Sequence, residues 1–200
     1  MSIPMIPVDP NAQGLIFDCD GTLVDSMPIH FRAWQEALEA AGVEYHHEFI
    51  DAHKGVPAVG ILQHYNQTYG TSFDVEAVAE DKQRRAYAGL ERVEPIVPVA
   101  NIVTRLHGKI PMAVASGGSR ENVDRMLEVT GLAGLFEVVI TGSDPVPPKP
   151  DPAIFVACAQ RMGVSPVRCQ VFEDGDAGLE AAHLAGMIAT DIRPYLAGSV

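Results

Sequence analysis

Long apolar runs are missing from this 200-residue chain, and no stretch reaches the length a membrane span needs. Clusters of Lys or Arg are missing too. With 14 basic against 26 acidic residues the formal net charge is -12, and no stretch marks a nucleic-acid footprint or a membrane-surface patch. Cysteine is scarce. Cys19, Cys158 and Cys169 are odd in number, and their spacings fit no zinc or disulfide framework. Each reads as a small buried hydrophobe, which suits a reducing cytoplasm. Met1 to Gln13 has no basic region followed by an apolar core, so it reads as a loose tail rather than a signal peptide. Internal repeats and low-complexity segments are also absent. The expectation is a cytoplasmic globular protein, monomeric by default, with 47% hydrophobic and 20% charged residues, ordinary values for that class. The acid excess divides evenly between residues 25–94 and the rest, so neither part is a basic clamp. An anionic ligand must then be recruited by local cations against the overall field.

What is present is organised around Gly14-Leu15-Ile16-Phe17-Asp18-Cys19-Asp20-Gly21-Thr22. Leu15, Ile16 and Phe17 read as a buried strand that stops on two aspartates. Carboxylates there lie at the strand's carboxyl end, where open α/β sheets place their ligands. Two like charges so close cannot both stay ionised without help, and an oxygen-preferring divalent cation supplies it. Taken alone, Asp-Gly is also an ordinary turn pair.

Beyond Gly21 the period becomes helical. Ser26 can cap a helix with Pro28 in its first turn, and Phe31, Trp34, Leu38 and Ala41 recur until Gly42. Trp34 lies on that apolar stripe and reads as core. A second helix runs from Pro57 to Gly70 and a third from Asp74 to Val93, so residues 25–94 read as all helix. His46, His47, His53 and His64 match no ligand spacing and read as ordinary surface. Alternation then sets in. A helix through Val99 to Leu106 precedes a strand at Ile110 to Ala115, then come a helix at Arg120 to Thr130 and a strand at Val138 to Thr141. A helix at Pro152 to Met162 leads to a strand at Gln170 to Phe172, a helix at Ala177 to Ala185 and a last strand at Ile188 to Ile192. Such alternation gives an α/β fold, a Rossmann-like parallel sheet with helices on both faces. Residues 1–24 and 95–200 form that core, and 25–94 is an inserted helical domain.

Four strand ends share one edge of such a sheet, and each delivers a polar cluster: Asp18 with Asp20, Ser116 with Gly117, Lys149, and Glu173 with Asp174. The mixture fits phosphoryl transfer. Carboxylates hold Mg²⁺, which bridges to phosphate oxygens. Ser116 can donate to a phosphate oxygen, Gly117 and Gly118 permit close backbone approach, and Lys149 offers a compact positive charge. A carboxylate nucleophile would form an aspartyl-phosphate, and a neighbouring carboxyl would protonate the leaving alkoxide.

These four clusters, in this order, resemble the motifs of the haloacid-dehalogenase-like phosphohydrolases. Asp18-Cys19-Asp20-Gly21-Thr22 is similar to the first motif, and Ser116, Lys149-Pro150-Asp151-Pro152 and Glu173-Asp174 follow as the second, third and fourth. The likeness runs from about Gly14 to Arg193. It is greatest for the branch that contains β-phosphoglucomutase and, more closely, the YqaB-like fructose-1-phosphate phosphatases. That closer match rests on Asp25-Ser26-Met27-Pro28-Ile29-His30, on Ala33-Trp34 and on Cys158 to Val164. The resemblance implies Asp18 as nucleophile and Asp20 as general acid and base. It implies Mg²⁺ on the Asp18 carboxylate, the Asp20 backbone carbonyl, Asp174 and, directly or through water, Glu173, with Ser116 and Lys149 holding the phosphoryl group. Gly175 stands where serine or alanine is more usual, which should weaken one supporting contact at most.

The resemblance also makes the helical insert a small cap that closes over the site, with His30 and Lys54 as its substrate contacts. Ala58 replaces the arginine that grips a second phosphate in the mutase, so hydrolysis of a small phosphorylated metabolite is expected over mutase turnover. A phospho-accepting receiver module, the rival from another class, would carry its acid pair and its acceptor on different strands.

Overall fold

The computed structural model describes residues 5–53 and 56–196. The chain opens with β1 (Gly14–Phe17), β2 (Val24–Asp25), α1 (Met27–Ala40), α2 (His47–Ala52), α3 (Ala58–Tyr69) and α4 (Val75–Gly89). It continues through β3 (Glu94–Pro95), α5 (Val97–Leu106), β4 (Met112–Ala115), α6 (Arg120–Val129) and β5 (Val138–Ile140). It closes with α7 (Ala153–Met162), β6 (Cys169–Glu173), α8 (Asp176–Leu184), β7 (Ile188–Asp191) and α9 (Arg193–Leu196). Two compact units result, one of Met1–Asp25 with Glu94–Val200 and the other of Ser26–Val93.

The first unit is an all-parallel sheet in the order β5-β4-β1-β6-β7. The central strands β1 and β4 are apolar at every position because both faces are covered, which parallel sheets require. Ile16, Ala113, Ala115 and Val171 pack with Ile154, Phe155 and Cys158 of α7 and with Ala181 and Ala182 of α8. Leu15, Phe17 and Phe172 alternate to the opposite face, where the Phe17 and Phe172 rings stack 4.8 Å apart. From β1 the chain runs outward through β4 to β5, then crosses to β6 on the other side of β1. Right-handed crossovers place the helices of the two halves on opposite faces. The reversal between β1 and β6 leaves a crevice at their carboxyl ends.

The second unit holds α1 to α4 around Trp34, Leu38, Ile61, Leu62 and Tyr65, so Trp34 is core. Asp74 caps α4 by accepting from the Ala77 amide at 3.0 Å.

Several local expectations need correction. Ser26 precedes α1, but its side chain makes no capping hydrogen bond. The α2 helix went unread because six residues with a single buried one, Ile50, carry no period. Val24–Asp25 and Glu94–Pro95 pair antiparallel at the borders of the insert, where no strand is expected. The third helix ends at Gly89, and a 3-10 turn carries the chain on to Arg92.

Candidate active site

Asp18 follows β1 directly, and its amide donates to the Phe172 carbonyl at 3.0 Å, extending the β1–β6 ladder by one residue. That bond fixes the carboxyl at the crevice. Glu173 ends β6, and Asp174 follows it. Lys149 arrives from the loop between β5 and α7, whose Lys149–Pro150 peptide is cis. Its Nζ donates to Asp18 Oδ1 at 2.6 Å, to Glu173 Oε1 at 2.7 Å and to the Ala115 carbonyl at 2.9 Å. Residues 131 and 24 positions away from Lys149 thus meet on one ammonium.

Burial governs the electrostatics. It pushes the Asp18 carboxyl well above the usual carboxylate range against the pull of Lys149, and the charges of Glu173 and Asp174 push the same way. Burial also raises Asp174, while a hydrogen bond from Thr22 opposes it. At Lys149 burial favours the neutral amine, yet the Asp18 and Glu173 charges outweigh it and raise the pKa. The ammonium therefore stays charged. Carboxylate oxygens of Asp18, Glu173 and Asp174 all lie within 4.8 Å of one another, the one group of three or more such metal-ligating side chains among the described residues. Three crowded oxygen donors, two of them destabilised as anions, match the donor set that a hard divalent cation takes. The residues fit Mg²⁺.

Ser116 follows β4 and is almost wholly buried, 1% exposed. Its Oγ accepts from the Gly118 amide at 3.0 Å and lies 3.5 Å from Asp20 Oδ2, the outer limit for a hydrogen bond. Asp20 therefore belongs to the same cluster. Beside Gly117 the space is open where a side chain would stand, so its backbone can be approached closely. The helix after this loop is capped by Ser119, which accepts from the Asn122 amide, and not by Ser116. Asp18, Asp20, Ser116, Gly117, Lys149, Glu173 and Asp174 are thus gathered at one sheet edge. His30 lies on α1 in the helical unit, and Lys54 falls outside the described residues.

Three contributors carried no role in the sequence reading. Thr22 is completely buried, and its hydroxyl donates to Asp174 Oδ1 at 2.8 Å. Gly178 lies so close to Glu173 that an added Cβ would stand 1.7 Å from Oε1. Within the helical unit, Lys82 Nζ comes within 3.4 Å of His30 Nδ1 and stands 5.1 Å over the Trp34 ring. A signal for Lys82 existed. It falls midway between buried Val78 and Ala86, four residues from each, on the inward stripe of α4. At Gly175 the backbone supplies the supporting contact, its amide donating to Glu173 Oε2 at 2.7 Å. No helix among the described residues is long and apolar enough to cross a membrane.

Residues 12–186 match the family described as haloacid dehalogenase-like hydrolase. Fructose-1-phosphate phosphatase YqaB of Escherichia coli (strain K12) is 39% identical over 181 residues, spanning 90% of this chain and 96% of that protein. The β-phosphoglucomutase of Bacillus subtilis (strain 168) is 25% identical over 189 residues, 90% of this chain and 83% of its own. Among solved structures, CbbY from Rhodobacter sphaeroides in complex with phosphate superposes with a TM-score of 0.75 at 23% identity. That match covers 89% of this chain and 84% of the other, and it bears on the fold.

Proposed function

The chain belongs to the haloacid dehalogenase-like hydrolases, and from that premise we propose that it is a Mg²⁺-dependent phosphomonoesterase acting on a small sugar phosphate of the fructose-1-phosphate kind. The observation that carries this reading is the single ammonium of Lys149 bound to both Asp18 and Glu173 at the crevice between β1 and β6.

Asp18, through its carboxylate, attacks phosphorus as the bond to the sugar oxygen breaks, leaving a phosphoryl group on Asp18. Asp20 gives its proton to the departing alkoxide, then takes one from the water that displaces Asp18 and releases inorganic phosphate. Lys149 favours ionised Asp18 before attack and offsets charge on the phosphoryl oxygens during it. Ser116 and the Gly117 backbone hold those oxygens. Asp18, Glu173 and Asp174, with the Asp20 carbonyl, would hold Mg²⁺, which when bound neutralises the carboxylates and the phosphate. In the helical unit, His30 with Lys82 beside it, and Lys54, are the contacts we assign to the sugar phosphate. The protein acts as a monomer on a free metabolite in the cytoplasm.

The test is phosphate release from a panel of hexose and pentose phosphates, with and without Mg²⁺, by the parent and by Asp18→Asn. Release that needs Mg²⁺ and vanishes in folded Asp18→Asn is expected; turnover retained by that variant overturns the assignment. Formation of glucose 6-phosphate from β-glucose 1-phosphate would favour a mutase instead.

A further inference from the structure

His46, His47, His53 and His64 of the helical unit are unremarkable in sequence, but the fold brings two of them together. His53, at the end of α2, has Nδ1 2.7 Å from the Phe49 carbonyl oxygen. A carbonyl offers no proton, so Nδ1 carries the hydrogen, and in the neutral ring Nε2 holds the lone pair. That nitrogen lies 3.0 Å from Nδ1 of His64 on α3. The Phe49 ring stacks on His53 with centroids 4.2 Å apart, which holds that imidazole in place, and meets His64 in a T-shaped contact. Histidines that bind metals commonly donate the other ring N–H to a carbonyl, which fixes the tautomer, and His53 already does so.

We propose that His53 Nε2 and His64 Nδ1 form a binding site for a nitrogen-seeking divalent transition metal, carried by the helical unit and chemically unlike the carboxylate centre. With metal–nitrogen bonds of about 2.0–2.1 Å, nitrogens at this separation subtend roughly a right angle. Adjacent positions of an octahedral or tetragonal ion have that angle, and imidazole suits nickel and copper. On binding, His64 moves its proton from Nδ1 to Nε2, so both rings stay neutral and no net proton is released. Its exposed side chain turns to aim the freed lone pair, while stacked His53 stays as it is. Water fills the remaining positions. The bound ion would join the end of α2 to α3.

Ni²⁺ is the probe, because it leaves the three free thiols unoxidised. Calorimetric titration of the full chain in excess Mg²⁺, which occupies the carboxylates, should show one equivalent of Ni²⁺ bound. Affinity should fall at least about tenfold in His53→Ala and in His64→Ala, and stay at the parent value in His46→Ala. His64→Ala is decisive because that side chain is exposed and its loss leaves the core intact, which far-ultraviolet circular dichroism checks. Unchanged Ni²⁺ binding in folded His64→Ala, or an equal loss in His46→Ala, overturns the site. Phosphate release does not enter this readout, so the result stands apart from the phosphatase reading.

Discussion

The buried hydroxyl of Thr22 donates a 2.8 Å hydrogen bond to Oδ1 of Asp174, joining the turn after β1 to the residue after β6 across 152 positions of chain. The bond stabilises the ionised carboxylate against the burial that disfavours it. Thr22→Val keeps the shape and removes the donor. The hydroxyl orients a carboxylate proposed to hold the metal, and loss of such an outer-shell partner typically costs about 10–100-fold in metal affinity, so the Mg²⁺ concentration giving half-maximal activity should rise roughly tenfold or more. At saturating Mg²⁺, kcat should recover most of its parent value. A Mg²⁺ titration of activity checks this, and an unmoved midpoint contradicts it.

Gly178 gives a prediction of inverted sign. Within a helix, Gly to Ala ordinarily stabilises by about 1 kcal/mol. Here the new Cβ would fall on the Glu173 carboxylate, which must swing away from Lys149. Gly178→Ala should therefore destabilise by about 1–3 kcal/mol in urea unfolding and lower kcat together with it. Stabilisation with full activity would show that Glu173 can move freely.

Lys149→Met removes the cation that Asp18 and Glu173 share. Loss of such a group at a developing charge commonly lowers kcat by about 10²–10³. The same substitution leaves two buried carboxylates without their ammonium, so Mg²⁺ should bind more tightly than to the parent. Opposite movement of kcat and Mg²⁺ affinity, read by steady-state kinetics and calorimetry, distinguishes this from general unfolding.

Asp144 supplies the pH dependence. Its carboxylate accepts from the Thr141 amide and hydroxyl and from Arg120, and these bonds hold its pKa below the usual range, the Thr141 amide foremost. A lowered folded pKa means stability that is fully present above the unfolded value and lost as pH falls through the folded one. Asp144→Asn should cost about 1–2 kcal/mol near neutrality, and the gap to the parent should close in acid below the unfolded carboxylate range. Urea midpoints measured from neutral pH into acid check both parts.

The carboxylates, Ser116 and Lys149 were legible because each follows a strand of one parallel sheet, and the topology alone carries strand ends to a common edge. Lys149 needed no partner to be noticed; that it would join Asp18 to Glu173 could not be read, since spacing along the chain says nothing of the 2.6 and 2.7 Å bonds it makes. Thr22 was in plain view within the first motif, but its role lies wholly in a residue of the fourth. The β2–β3 pair was invisible because two residues per strand cannot show alternation. Helix α2 has the same difficulty, as one buried Ile50 in six residues sets no period. His53 and His64 lie 11 positions apart, one at the end of α2 and one on α3, and only the packing of the helical unit makes them neighbours.

That short antiparallel pair, Val24–Asp25 against Glu94–Pro95, brings the two ends of the helical block back side by side. To the sheet, everything between Ser26 and Val93 is one loop whose ends already touch. The block can lengthen, shrink or be exchanged without shifting the register of any neighbouring strand. Under the proposed function, substrate preference can therefore drift through the insert over evolutionary time while the phosphate chemistry assigned to the sheet edge is kept unaltered.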